Sequence, residues 1–381
     1  MGLAARAGMF NWPLFAGVFI VLCMSIMVLY SAGTPSCAMD GCIGQFGGMR
    51  PYALSQIWKI SLGLIVLFAV AVSPIKIWLK WSYAIYAAAF ALVVMVGMFG
   101  HTGMGAQRWL NLGVITIQPS EFIKMALVLA LARYFAWKNS EELSKIKTYI
   151  APALMLAVPF ALIAAQPDLG TAISIMLITG GMFFIVGAPR KWFMIAFAIA
   201  AISAPVVWFG AMHDYQRARI ITFIDPGSDP QGTGYQITQA KIAFGSGGVL
   251  GKGYLKGTQS HLSFLPEKQT DFIFTTLGEE LGLAGAMLLL VIYSAITAML
   301  FWLAKTCRNR FGQLAIFGFM LNFFVYYFIN IAMVLGLLPT VGVPLPLMSF
   351  GGSSLLSLLF GFGIVLCANA HKGMQLSGKG N

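Results

Sequence analysis

Two carboxylates stand four residues apart in Phe264-Leu-Pro-Glu-Lys-Gln-Thr-Asp-Phe-Ile-Phe274, just ahead of a long apolar run. A carboxylate at a membrane edge is costly unless it is paired, hydrated or put to use. Asp271 can act on a substrate, orienting a hydroxyl or taking its proton as a general base. It can equally cap the helix that starts near Phe272, through its side-chain oxygen and the helix dipole. Glu267 and Lys268 share the run and are candidate contacts for whatever Asp271 faces.

Other polar residues are few, and most allow two readings. Arg108, in Gly105-Ala-Gln-Arg-Trp109, carries a planar fork suited to phosphate or diphosphate, or else snorkels at the interface. Glu121 and Lys124, in Pro119-Ser-Glu-Phe-Ile-Lys124, are spaced i, i+3 on one helix face. They form either an ion pair satisfied inside the bundle or one wall of a cavity open to the outside. Asp168, in Gln166-Pro-Asp-Leu-Gly-Thr171, either caps the next helix or lines that cavity. Arg217 and Arg219 either hold an anionic head group or rest at the lipid surface. Ser349 opens Ser349-Phe-Gly-Gly-Ser-Ser354, after Asn330, Gly336, Pro339, Gly342, Pro344 and Pro346. So many helix breakers imply non-helical backbone at membrane depth, which is tolerated only where protein buries it or it lines a cavity.

The elements that position these residues follow from composition. The chain has 381 residues, 59% of them hydrophobic and only 9% charged, far below the roughly 25% charged of soluble domains. Its apolar runs are continuous rather than alternating, which excludes a β-barrel. The fold class is an all-α polytopic membrane protein, a single integral membrane domain over 1–381. Ten spans fall near 12–32, 54–73, 81–100, 119–137, 149–166, 170–188, 192–210, 272–303, 314–336 and 352–370. The first reads as a retained span, not a cleaved signal peptide. Residues 211–271 form one large extracytoplasmic loop. Within it, Tyr235 to Phe244 reads as a short amphipathic helix on or dipping into the membrane. Eight glycines lie between Gly232 and Gly257, permitting sharp turns and close backbone approach, without a Walker pattern.

Alternate loops carry fourteen of the Lys and Arg residues, from Arg6 through Lys76, Lys80, Arg133, Lys138 and Lys145 to Lys372 and Lys379; the opposite short loops hold only Arg50 and Arg108. This places both termini in the cytoplasm. The net charge of +12 is spread along these loops and forms no nucleic-acid patch. Ten of the twelve acids fall outside or within spans. Chemistry therefore belongs to the outer face, where no ATP exists and a substrate must arrive already activated. Cysteine spacing suits no zinc site; Cys37 and Cys42 share a loop and either pair or stay free.

These motifs together resemble the SEDS family (shape, elongation, division and sporulation proteins) over nearly the whole chain. The carriers are Gly105-Ala-Gln-Arg-Trp, Gln118-Pro-Ser-Glu121, Gln166-Pro-Asp-Leu-Gly-Thr171, Phe264-Leu-Pro-Glu with Thr-Asp-Phe-Ile-Phe274, and Asn330 with Ser349-Phe-Gly-Gly-Ser. The stretch Gly234 to Gly248 with Gly257-Thr-Gln-Ser260 looks like the elongation-type branch. Gln269 replaces a histidine common before the Thr-Asp pair, and Phe350 replaces a residue that is usually Tyr, Ser or Ala.

The resemblance implies an inverting peptidoglycan glycosyltransferase of the bacterial cytoplasmic membrane, polymerising lipid II at its outer face with undecaprenyl diphosphate as leaving group. Asp271 would be the base. Arg108, Lys124 and Arg217 or Arg219 would steady the diphosphate, with Glu121 holding Lys124 or joining a divalent cation. No other cofactor is expected. Expected partners are a class B penicillin-binding protein (a transpeptidase), elongation-complex proteins and membrane lipid. The competing classes are a lipid II flippase and a non-catalytic scaffold for the transpeptidase. Ten spans and broken helices suit a flippase too, but the polar residues gather on one face rather than at mid-depth.

Overall fold

A computed structural model describes residues 10–33, 51–103, 106–111, 116–212, 214–229, 232–261 and 267–374. Cys37, Cys42 and the end of the chain lie outside the described residues. The spans appear in the expected order. They are α1 (Trp12–Ala32), α2 (Pro51–Val72), α3 (Ile75–Phe99) and α4 (Pro119–Phe135), then, after the single turn α5 (Ser140–Leu143), α6 (Lys147–Ala165), α7 (Leu169–Val186) and α8 (Arg190–Val206). The long connection holds α9 (Asp214–Ile224), α10 (Thr233–Ser246) and α11 (Thr258–His261). The last spans are α12 (Ile273–Thr306), α13 (Arg310–Val334) and α14 (Gly352–Ala370). Among the described residues, eight helices are long and apolar enough to cross a bilayer. The other two spans, α4 and α8, have 17 residues each, near the lower limit for crossing.

Burial sorts the helices into a centre and a ring. α4, α13 and α14 are buried on nearly every side, while α3 and α6 turn most of their side chains outward. Lipid is as apolar as leucine, so a ring helix needs no polar outer face. Close approach at the centre is set by small residues: a side chain at Gly361 would meet the Phe319 ring, and one at Gly363 would meet Val70 and Leu67.

Two departures from regular helix shape one end of the bundle. α12 is broken at Gly282, whose φ of 66° and ψ of −165° belong to no helix. The chain between α10 and α11 enters that break. Lys252 N donates to Glu279 O and Gly253 N to Glu280 O, while Leu283 N and Ala284 N donate to Gly248 O and Val249 O. The groups orphaned by the break are thereby satisfied. Residues 335–351 form the second departure, a re-entrant segment without helix whose turns use the left-handed backbone of Gly336 and Gly342. Its carbonyls find donors from across the bundle. Ser25 Oγ donates to Met348 O at 2.8 Å, Tyr293 Oη to Pro346 O at 2.5 Å and Asn330 Nδ2 to Val343 O at 2.7 Å. Backbone at membrane depth is thus buried in protein, as its composition requires.

Three short antiparallel strands, β1 (His101–Gly103), β2 (Ala106–Asn111) and β3 (Thr116–Ile117), lie between α3 and α4. β2 carries Arg108. In the long connection, α10 packs against α12, with the rings of Phe244 and Phe274 stacked at 5.5 Å.

Candidate active site

The first turns of α4, α7, α12 and α14 and the last turn of α13 meet at one end of the bundle, beside the re-entrant segment. Asp271 stands there, two residues before α12. Its own carbonyl accepts from Asn330 Nδ2 at 2.8 Å. The carbonyl of Thr270 accepts from Ser349 Oγ at 2.6 Å, and that of Gln269 from Phe350 N at 2.8 Å. Three consecutive carbonyls are therefore clamped by α13 and the re-entrant segment, which fixes the direction of the side chain. Its Oδ2 lies 3.4 Å from where a Cβ on Gly342 would stand, so glycine keeps the space under the carboxyl open. No side-chain cap is formed at the start of α12. As the side chains stand, the capping alternative for Asp271 is not used.

A second group sits at the front of α7. Asp168 is buried and is the N-cap of that helix, accepting from Thr171 N at 3.4 Å. It also accepts from Gln118 Nε2 and Ser120 Oγ, each at 3.4 Å, and lies 3.9 Å from an Arg108 guanidinium nitrogen. The capping reading of Asp168 is realised, and its remaining contacts tie the front of α7 to α4 and β2. Arg108 donates a hydrogen bond to Pro167 O, while its buried Nε donates to no acceptor among the described residues.

Charge ties the two groups together. Withdrawal from water raises the Asp271 carboxyl from 3.8 to about 6, and the charge of Glu267 adds to the rise. Arg108 and Arg219 act in the opposite direction, and Asp168 raises it further. Arg219 also donates to Thr340 O of the re-entrant segment at 3.1 Å. Glu267 has left-handed backbone (φ 57°), and its Oε2 accepts from Thr270 Oγ1 at 2.9 Å. Lys268 is half-buried, and burial lowers its ammonium from the usual lysine range.

The remaining candidates spend their polar groups on protein contacts. Glu121 and Lys124 are 3% and 2% exposed and pair at 2.8 Å. Tyr326 Oη donates to Glu121 at 3.2 Å, and the tyrosine ring lies 3.5 Å from Lys124 Nζ. The pair is enclosed and satisfied inside the bundle, next to Ser120, which donates to Asp168. Ser349 is buried and spends its hydroxyl on backbone, donating to Thr270 O and accepting from Leu345 N at 2.7 Å. Arg217 turns away to the carbonyls of Trp208 and Phe209 and to Asp214. Among the described residues, no three His, Cys, Asp or Glu side chains converge as metal ligands.

Sequence reasoning passed over two features, Lys59 and Glu279. Phe350 does more than fill space, because Lys59 Nζ of α2 sits 3.3 Å from its ring centroid and Tyr52 packs edge-on at 5.3 Å. Glu279 is the second, a fully buried acid eight residues beyond Asp271. A polar residue inside an apolar run is the signal for both.

Fold and site define a multi-pass helical membrane protein that gathers acids and arginines around a re-entrant segment at one end of its bundle. The sequence profile of the FtsW/RodA/SpoVE cell cycle proteins matches residues 12–374, and the chain belongs to that family, the one its motifs resemble. It is 44% identical over 356 residues to the peptidoglycan glycosyltransferase MrdB of Escherichia coli (strain K12), covering 93% of this chain and 92% of that protein. It is 35% identical over 325 residues to a probable peptidoglycan glycosyltransferase FtsW of Hydrogenovibrio crunogenus, covering 84% and 83%. Among solved structures it is similar to a chain of a peptidoglycan synthase complex that coordinates polymerization and crosslinking. That match has 28% identity and a TM-score of 0.80, over 95% of this chain and 98% of that one.

Proposed function

We propose that the protein is a peptidoglycan glycosyltransferase that polymerises lipid II at the outer face of the bacterial cytoplasmic membrane. The observation that carries this reading is Asp271: a recessed carboxyl, clamped through its backbone and raised to about 6. That value leaves it ionised at neutral pH yet basic enough to accept a proton, which is what a general base needs. The names of the similar proteins support the same activity.

In the reaction, a sugar hydroxyl of one lipid-linked chain attacks the anomeric carbon of another. Asp271 takes the hydroxyl proton as the new C–O bond forms. The bond from that carbon to the diphosphate breaks on the opposite face, and the leaving group departs with the electron pair, inverting the centre. Arg108 and Arg219, whose charges already reach Asp271, are placed to hold the growing negative charge. The unused Nε of Arg108 is one donor for it. Glu121 and Lys124 brace the bundle and do not touch substrate. The partner we propose is a class B penicillin-binding protein, in keeping with the two activities coordinated in the synthase complex.

The test is polymerisation of labelled lipid II by the purified protein with its partner, the partner's transpeptidase serine being removed. Wild-type protein should yield a ladder of glycan strands, and Asp271→Ala should lose about 10²–10⁴-fold in turnover. Unchanged turnover in Asp271→Ala would sink the base assignment. No polymer from well-folded wild-type protein would favour lipid II transport instead.

A further inference from the structure

The break in α12 raises a question that the chemistry of Asp271 leaves open. Asp271 is presented by the short leading half of that helix, residues 273–281. Because the helix is interrupted at Gly282, helical continuity cannot hold this half in register with the rest. Its start is tied to α13 and the re-entrant segment through the carbonyls of residues 269–271, and its far end needs a tie of its own.

Glu279 lies in this leading half, about 12 Å along the axis from Asp271 at ~1.5 Å per residue. Its side chain is fully buried. A single carboxylate oxygen, Oε1, accepts from Lys252 Nζ at 2.9 Å, Gln259 N at 2.8 Å and Thr258 Oγ1 at 3.2 Å. Lys252 Nζ also donates to Thr258 Oγ1 at 2.7 Å. Burying a carboxylate is costly unless charge and hydrogen bonds compensate it, and here a cation, an amide and a hydroxyl converge on one atom. The partners come from both sides of the turn between α10 and α11. Gln259 and Glu279, joined through this oxygen, lie on either side of Asp271 in the sequence.

We propose that Glu279 and Lys252 form a clasp that positions Asp271 for catalysis without touching substrate. The clasp rests on the glycosyltransferase reading of Asp271. It works with the backbone exchange at the break, where a side chain on Gly251 would collide with Glu280 O, so the 247–253 turn and the half-helix are held as one body. Opening the clasp frees the half-helix to shift against the re-entrant segment. A displacement of about 1 Å at a reacting group can cost on the order of a hundredfold in rate. The arginines that would hold diphosphate lie on β2 and α9, outside this body, so binding should survive.

The experiment compares Glu279→Gln, Lys252→Met, Lys252→Arg and the Glu279→Gln/Lys252→Met double variant in the lipid II assay with the partner present. Each protein's thermal unfolding in detergent is recorded alongside. Glu279→Gln and Lys252→Met should each lower kcat about ten- to a hundredfold, with KM within about twofold of wild type. The double variant should fall no further than its worse single, as members of one interaction do. Lys252→Arg, which keeps the charge, should retain most of the rate. If Glu279→Gln fails to fold, Lys252→Met and Lys252→Arg carry the comparison, since Lys252 lies on a partly exposed turn. Wild-type kcat in folded Lys252→Met, a loss confined to KM, or equal damage from Lys252→Arg overturns the clasp. Absence of polymer from wild-type protein overturns the underlying activity instead.

Discussion

Asp271 is surrounded by charges of both signs, and each should leave a mark on the pH dependence of the reaction. A base must be ionised to work, so kcat/KM should rise through pH 6 and level off above it, the folded carboxyl being raised to about 6 chiefly by burial. Glu267 raises that value and Arg219 lowers it. Glu267→Gln should therefore move the rising limb to lower pH, and Arg219→Ala should move it up. Rates measured between pH 4.5 and 8.5 would check both. A limb that ignores both substitutions would mean that another group sets it. At this scale the candidate residue is legible in the sequence, because an aspartate at the edge of an apolar run has few reasons to exist. The partners of Glu121 and Lys124 are not legible. Tyr326, which closes over them, lies 205 residues away from Glu121, and local spacing cannot say whether an ion pair faces a cavity or a ring.

Elements transmit the geometry, and glycines set how closely they approach. Gly170 opens α7 beside Asp168, and a Cβ there would run into Val341 O and the side chain of Val343, on either side of Gly342. Gly180, in the same helix, has nothing near its missing Cβ. Gly170→Ala should lower the unfolding temperature and, by pushing the segment beneath Asp271, the turnover as well. Gly180→Ala should hold or raise stability, because alanine is favoured over glycine by about 1 kcal/mol inside a helix. Unfolding temperatures of the two purified variants decide it, and equal effects would refute the close-approach account. Hydropathy alone locates the spans, with the largest error six residues at the start of α3 (81 expected, Ile75 found), because apolar length is a property of each segment by itself. The break at Gly282 escapes such reading. Leu277-Gly-Glu-Glu-Leu-Gly282 is compatible with helix, and the break is stabilised by hydrogen bonds from a turn about thirty residues earlier.

For the molecule as a whole, function depends on which way the bundle faces. The cluster around Asp271 lies at the end shared by the first turns of α4, α7, α12 and α14, opposite the loops rich in Lys and Arg. Positive loops stay in the cytoplasm, so the cluster should open outward, where a lipid-linked sugar is presented without ATP. Single cysteines placed in a variant whose five native cysteines are replaced would show it. Ala218→Cys, exposed on α9, should react with a membrane-impermeant maleimide in spheroplasts. Lys145→Cys, in the loop between α5 and α6, should react only after the membrane is opened. The reverse pattern would put Asp271 on the cytoplasmic side and remove the ground for polymerisation at the outer face. Labelling at both sites in sealed spheroplasts would point to a mixed orientation. The loop charges argue against that, since fourteen basic residues stand on one side and two in the short loops of the other.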